Sequence, residues 1–476
     1  MKKKDVAIIG AGIAGIASAI RLRMLGHQVR VFESNKYPGG KLTAFEENGY
    51  RFDMGPSLFT MPHMIEELFE LTKKPIDKYF SYQKKENICS YFFEDGTFFL
   101  APGDKEKFIK KATQTFDVSE NKLRNYLARS KKKYDLTASL FLEKSLHKKE
   151  TYLTSDTLKA LINISKLDIQ DSLSSLNEKT FKDHRLVQFY NRFATYNGSS
   201  PYKTPGIMSM IPHLEQHYGT YFPKGGMHQI TLSLFALAKD IGVEFNFSSP
   251  VSKIETQENK ITGIQVNHKL ISADIVVSNA DVVPTYRRLL SHHPAPEKIL
   301  SQERSSSALI FYWGIQKEFL KMDLHNIFFS KDYKEEFDYI FNKNLIHEDP
   351  TIYINISSKE ESGDAPKGCE NWFTMINVPN NSGQDWDSMI DKARKNILKK
   401  LSRLLNHDIA KLIEYEAILD PRDIESRTQS FQGALYGAAS NNKFSAFLRH
   451  PNFKNSIKNL YFCGGSVHPG GGIPLC

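Results

Sequence analysis

Three glycines and one acid carry the clearest chemistry in the sequence. Gly10-Ala11-Gly12-Ile13-Ala14-Gly15 is a complete G-x-G-x-x-G, and Glu33 follows 18 residues after Gly15. The first glycine permits a tight turn, the second lets the backbone approach a pyrophosphate, and the third brings a helix close to a strand. Glu33 can accept both hydroxyls of an adenosine ribose and would repel a 2′-phosphate, which disfavours NADP. Tyr37-Pro38-Gly39-Gly40-Lys41 comes directly after the acid. The paired glycines allow backbone to approach a bulky ligand, and Lys41 can offer a cation to phosphate or to the electron-rich end of a reduced flavin.

Such groups need a strand, a helix and a second strand to hold them. Asp5–Ile9 is an apolar run fit for a buried parallel strand, and Ile13, Ile16, Ala17, Ile20 and Met24 recur at helical spacing. Gly26 is a C-terminal stop, and Gln28–Phe32 supplies the second strand that Glu33 closes. Further on, 225–242 reads as a glycine-led helix, and 243–247, 251–255, 261–266 and 275–277 read as short strands between turn residues. Residues 460–465 again run from apolar strand into glycines, and 469–474 supply backbone amides able to stabilise negative charge on a reduced ring.

With these motifs the sequence resembles the FAD-dependent amine oxidase and carotenoid desaturase superfamily. Further segments resemble its bacterial phytoene desaturase family: Gly49-Tyr50-Arg51-Phe52-Asp53-Met54-Gly55-Pro56-Ser57, Asn191 to Pro201, Tyr221-Phe222-Pro223-Lys224-Gly225-Gly226-Met227, Val276-Val277-Ser278-Asn279-Ala280-Asp281, and Leu460 through Pro474. These matches run in the family's order from residue 5 to 474. The resemblance implies an α/β fold: a Rossmann-type FAD-binding domain assembled from 1–80, 220–290 and 430–476, an α+β substrate-binding domain from 81–95, 196–219 and 291–429, and a helical, membrane-facing subdomain over 96–195. It implies FAD contacts at Gly10, Gly12, Ile13, Ala14, Gly15, Glu33, Gly40, Lys41, Gly55, Ser57, Leu58, Val251, Asn279, Asp281, Gly465, Gly472 and Ile473. Family chains continue through a further helix where this one stops at Cys476, so a tail beyond Cys476 or an early end with looser FAD retention is expected.

The loop Gly464 to Pro474 is closest to the hydroxycarotenoid 3,4-desaturase branch, which implies 3,4-desaturation of a 1-hydroxylated acyclic carotenoid. Phytoene desaturation, flavin-dependent carotene isomerisation and ketolase-like oxidation are the alternatives within the family. A prenyl-binding protein of the GDP-dissociation-inhibitor kind is the non-enzymatic alternative; Glu33, Gly40-Lys41 and the C-terminal glycines speak against it. An amine oxidase lacks support from any aromatic amine cage motif. No catalytic base is implied. Arg192 and His468 are the polar candidates, with a structural ion pair and a backbone-bonding loop residue as their respective alternatives. Apolar stretches at 207–211, 308–313 and 433–436 are candidate walls of a substrate tunnel, with core packing as the alternative for each.

Composition narrows the rest. At 476 residues with 40% hydrophobic side chains the chain buries a large core, which excludes collagen, coiled coil and intrinsic disorder. Cys89, Cys369, Cys463 and Cys476 form no C-x-x-C pair, so no disulfide scaffold, zinc ribbon or other metal site is expected, and a cytoplasmic setting is. Lys2-Lys3-Lys4 before an apolar stretch ending near Ala17-Ser18-Ala19 imitates a secretory signal, but cleavage there would destroy the glycine motif. The net charge is +9, and residues 121–149 concentrate it: Lys122, Arg124, Arg129, Lys131, Lys132, Lys133, Lys144, Lys148 and Lys149 oppose only Asp135 and Glu143, a local +7. Leu123, Tyr126, Leu127, Tyr134, Ala138, Phe141 and Leu142 fall among them at roughly helical spacing. A solvated helix face is one reading. Docking on the anionic inner face of a membrane is the other, favoured by a lipid-dissolved substrate, while no nucleic-acid recognition motif is present.

Overall fold

The computed structural model describes residues 2–141, 144–442 and 447–475. Leu142, Glu143 and Cys476 lie outside the described residues.

A five-stranded parallel sheet forms the first layer. Its centre is β1 (Asp5–Ile9), flanked on one side by β2 (Gln28–Phe32) and Glu244–Asn246, and on the other by Ile275–Ser278 and Leu460–Phe462. The strands thus come from three distant parts of the chain. β1 is buried from Val6 to Ile9 because both faces of the parallel sheet are covered, which is why its sequence is a continuous apolar run rather than an alternation. Helix α1 (Ile13–Met24) packs on one face beside His228–Asp240, sharing Ile16, Ile20, Ile230, Leu234 and Leu237 in one core. A small antiparallel sheet of Val251–Gln257, Lys260–Val266 and Lys269–Ser272 backs the other face.

The second layer is a seven-stranded mixed sheet, ordered Ile413–Leu419, Ser307–Ile315, Glu370–Val378, Ile352–Ile356, His325–Phe328, Asn87–Phe92 and Phe98–Pro102. The register decides what each face does. Phe92, Phe311, Trp313, Phe328, Ile352, Ile354, Trp372 and Ile376 share one face and pack against Trp386, Ile390, Ile397 and Leu401 of the amphipathic helix Trp386–Leu405. Tyr91, His325, Tyr353, Phe373, Met375, Ile310 and Tyr312 alternate with them onto the opposite face. The expected domain boundary at 95/96 falls inside a hairpin: Phe92 pairs with Phe98 and Tyr91 with Phe99, so ladder hydrogen bonds keep 98–102 in this sheet.

Helices then dominate the described residues between 105 and 191, among them Glu120–Phe141, Ser155–Ile162, Leu173–Thr180 and His184–Asn191. Leu123, Tyr126, Leu127, Leu186, Phe189 and Tyr190 bury themselves against Tyr91 and Phe99 of the sheet. No helix among the described residues is long and apolar enough to cross a membrane.

Candidate active site: a nucleotide cleft facing a sheet

The cleft begins where β1 ends. Gly10 turns the chain with φ +94°, and Gly12 caps α1 with extended backbone and no side chain, leaving the first-turn N–H groups of the helix open. No acid occupies that first turn, so the partial positive end of α1 is uncompensated and suits a pyrophosphate. A Cβ on Gly15 would stand 2.2 Å from the Gly10 carbonyl oxygen, so helix and turn meet at a distance only glycine allows. Asn279 crosses the mouth of the turn, its Nδ2 donating to Gly10 O at 3.3 Å.

Glu33 is buried at the tip of β2. Its Oε2 accepts from the Ala11 N–H at 2.7 Å, and its Oε1 accepts from Asn35 N at 2.9 Å and Ser34 Oγ at 3.1 Å. The acid therefore braces the glycine turn, and Oε2 keeps a lone pair for a ribose hydroxyl. Ser249 N donates to Glu33 O at 2.8 Å, which brings Val251 beside the same tip. Gly39 N donates to Ala11 O at 2.9 Å and so lays the Gly39-Gly40 loop along the turn. Lys41 Nζ donates to Leu435 O at 2.7 Å and Ala434 O at 3.2 Å. Gly55 backs onto Lys41, where an added Cβ would come within 2.0 Å of Lys41 O. Ser57 and Leu58 follow, both partly accessible. Asp281 accepts from Val283 N at 2.9 Å and from Phe431 N at 3.4 Å, and burial raises its pKa. Ser466 Oγ accepts from Val282 N at 3.0 Å, and Gly465 stacks on Gly471, bringing the C-terminal glycines to the cleft. Ile473 packs on the apolar core beneath α1. Gly10, Gly12, Gly15, Glu33, Gly40 and Asn279 thus meet at the carboxyl end of β1, with Lys41 and Gly55 beside them. Turn, open helix end and acid fit a flavin adenine dinucleotide.

The second face of the seven-stranded sheet is largely covered. Tyr50 and Phe52, from the hairpin Thr43–Glu47/Tyr50–Met54, pack with Ile310, Tyr312 and Phe373 at one end, and the helical cluster packs on Tyr91 and Ile327 at the other. Tyr353 touches both clusters and remains partly accessible between them, as does Met375.

The model of the family described as flavin containing amine oxidoreductase matches residues 13–476. The chain belongs to that family. Over 99% of this chain and 96% of the relative, it is 59% identical to a 1-hydroxycarotenoid 3,4-desaturase of Flavobacterium sp. (strain P99-3). It is 32% identical to a 4,4'-diaponeurosporene oxygenase of Staphylococcus aureus (strain MSSA476), over 99% of this chain and 95% of that one. Among solved structures, an oxidoreductase from Methanosarcina mazei aligns at a TM-score of 0.64 with 16% identity, covering 99% of this chain and 98% of the other, a likeness of fold.

This flavin oxidoreductase, whose cofactor is FAD, places the two polar candidates away from open solvent. Arg192 is buried, with Nη2 donating to Glu215 at 2.7 and 3.0 Å and its guanidinium 4.2 Å from the Phe193 ring centroid. Tyr196 donates to the same carboxylate. That is a buried ion pair tying 189–196 to 211–218, with Arg192 Nε left without a partner. His468 is buried too, its Nε2 3.0 Å from Lys144 O and its pKa lowered by burial. Of the tunnel candidates, 308–313 lies within the buried strand Ser307–Ile315, and Ile207 and Met208 lie in the helical core.

The basic stretch needs correction. Lys133 points inward: it is 2% exposed and bonds Asp168 at 2.6 Å and Ser209 Oγ at 2.6 Å. An amphipathic helix buries one side, and Lys133 shares that side with Ser130 and Thr137. Arg124, Arg129, Lys131 and Lys144 each pair with an acid, so much of the local charge is neutralised at short range. Sequence reasoning also missed Tyr353 and His325. The alternation Ile352-Tyr353-Ile354-Asn355-Ile356 was the available signal, a strand with one apolar and one polar face.

Proposed function

We propose that this protein is an FAD-dependent carotenoid desaturase that introduces the 3,4 double bond into a 1-hydroxylated acyclic carotenoid. The near full-length similarity to the Flavobacterium desaturase carries this reading. Gly10, Gly12 and Gly15 with the N–H groups at Ile13 and Ala14 would hold the pyrophosphate, and Glu33 the ribose. Val251 would flank the adenine end. Gly40, Lys41, Gly55, Ser57, Leu58, Asn279, Asp281, Gly465, Gly472 and Ile473 would surround the ring end. When bound, FAD would supply the hydride acceptor for removal of two hydrogens from the substrate, one as hydride and one as a proton from the neighbouring carbon, leaving a C=C bond. The protein's share is positioning: an apolar wall of Ile310, Phe373 and Met375 excludes water and holds an otherwise flexible polyene in one pose.

The reading includes a lipid-dissolved substrate and peripheral attachment, through the helical region, to the anionic inner face of a membrane. Support comes from Leu153 at 87% and Ile162 at 72% exposure, with Tyr152, Leu158, Leu161 and Ile164 also exposed. Lys148, Lys149, Lys159 and Lys166 are interspersed among them, a pattern suited to an anionic lipid surface. This segment abuts the C-terminal loop, because Lys144 O accepts from His468.

The decisive experiment incubates the enzyme with hydroxylated acyclic carotenoid and, separately, with phytoene, and records absorption spectra and product masses. Loss of two hydrogens with a red shift only in the hydroxylated case is expected. Conversion of phytoene alone would point to phytoene desaturation, oxygen gain to the oxygenase activity named for the staphylococcal relative, and isomerisation without mass change would exclude a desaturase.

A further inference from the structure

We propose that Ser57, Tyr353 and His325 form the seat for the terminal hydroxyl of the substrate, holding it beside the cofactor cleft. The inference rests on the hydroxycarotenoid reading above and names the groups that recognise the hydroxyl.

A hydrogen-bonded chain crosses the second face of the seven-stranded sheet between the two clusters that cover it. Ser57 Oγ lies 2.8 Å from Tyr353 Oη, which lies 2.8 Å from His325 Nδ1. Asn355 Nδ2 also reaches His325 Nδ1, at 3.3 Å. An amide nitrogen can only donate, so Nδ1 is the acceptor and the ring proton sits on Nε2, which is buried without a partner. His325 is 3% exposed, and burial lowers its pKa to about 4, consistent with a neutral ring. With Nδ1 accepting, Tyr353 donates to His325 and Ser57 donates to Tyr353. Both hydroxyl oxygens then keep acceptor capacity toward the partly accessible space around them.

Apolar clusters pack on both sides of Tyr353, and Ile310, Phe373 and Met375 continue its face of the sheet. Polar groups on such a wall carry a desolvation cost unless each is paired; Tyr353 is engaged on both sides, and Ser57 Oγ, the outer member of the chain, keeps the acceptor capacity that a substrate hydroxyl can use. Substrate geometry agrees. The 1-hydroxyl oxygen is three bonds from C3, hence about 4 Å away, so its partner must lie on the order of 7 Å from the reacting carbon. Ser57 is two residues from Gly55, whose backbone packs on Lys41 beside the glycine turn, which puts it on the side of the sheet nearest the candidate nucleotide site. Ser57 and Tyr353 would touch the hydroxyl, and His325 is a positioning residue that fixes the direction of Tyr353.

The test uses the full-length holoenzyme on liposomes loaded with a hydroxylated acyclic carotenoid or its matched non-hydroxylated partner. Partition of each polyene onto protein is measured, then KM and kcat, with flavin absorption normalising cofactor content. Wild type should prefer the hydroxylated polyene about tenfold or more. Tyr353→Phe keeps the ring and should erase that preference, raising KM for the hydroxylated polyene alone. His325→Phe should do the same, and His325→Gln, whose amide oxygen can accept from Tyr353, should restore part of it. Ser57→Ala is a second variant on a partly accessible side chain should Tyr353→Phe fail to fold. Preference retained in Tyr353→Phe and Ser57→Ala overturns the proposal and leaves the desaturase reading intact. A wild type that converts only the non-hydroxylated polyene overturns the hydroxycarotenoid reading, and this proposal with it.

Discussion

Gly12→Ala and Gly15→Ala, three residues apart in sequence, make the sharpest test of the nucleotide site because one blocks the ligand and the other the fold. At Gly15 an added Cβ would lie 2.2 Å from Gly10 O and 3.0 Å from Asn279 Nδ2. Backbone cannot swing aside as a side chain can, so α1 must move off the turn, an overpacking cost of about 1–3 kcal/mol. At Gly12 the backbone has φ −70° and ψ 170°, which alanine adopts freely, and the new Cβ meets only Asn279 Nδ2, at 2.9 Å. Asn279 can rotate, so the fold tolerates the change, whereas the methyl group fills the space where pyrophosphate must approach. Gly12→Ala should therefore lower apoprotein Tm by no more than a few degrees, the scale of about 1 kcal/mol in a large domain, and by less than Gly15→Ala. It should also lose tenfold or more in FAD affinity, or at least about 1.4 kcal/mol. Gly15→Ala should lower Tm by several degrees even as apoprotein. Thermal melts of the apoproteins and FAD titrations followed by flavin fluorescence separate the two effects. Undiminished FAD affinity in Gly12→Ala would refute the placement of the pyrophosphate.

Other outcomes follow from the same geometry. Glu33→Ala should weaken FAD binding by roughly 1–3 kcal/mol through lost charge-assisted hydrogen bonds, and should also lower apoprotein stability because Ala11 N–H loses its acceptor; an apoprotein melt identical to wild type would contradict the bracing role. Changing Leu153, Leu158 and Ile162 to Ser should reduce flotation on anionic liposomes, most at high salt where lysine attraction is screened, and equal flotation of variant and wild type would remove this segment from the docking surface. Burial lowers the pKa of His213, His325 and His450 to about 4 each, so the unfolded chain binds protons that the folded chain refuses below its ordinary value of 6.5. Their contribution is present above that value and is lost as pH falls toward 4, so the urea midpoint should drop between pH 7.5 and 5; a constant midpoint would contradict their neutral burial.

The nucleotide half of this protein is legible along the chain because its signals are local. A strand, a turn, a helix stop and an acid all lie within the first 33 residues, and each owes its residue type to its own backbone or to the pyrophosphate it meets. Apolar runs likewise mark 275–277 and the start of 460–465 as strands before any contact is known, and the structure has strands at Ile275–Ser278 and Leu460–Phe462. Tertiary structure alone decided the substrate wall. Tyr353 faces Ser57 from a strand 296 positions away, and the register of Ile352–Ile356 against its neighbours determines that it faces the cleft and not helix Trp386–Leu405. Charge shows the same division: nine cations in 121–149 can be counted from sequence, yet only folding turns Lys133 inward onto Asp168 and leaves Leu153 and Ile162 outside. Local sequence specifies backbone conformation and burial tendency, whereas side-chain partners depend on how distant elements pack, and that is settled by the fold as a whole.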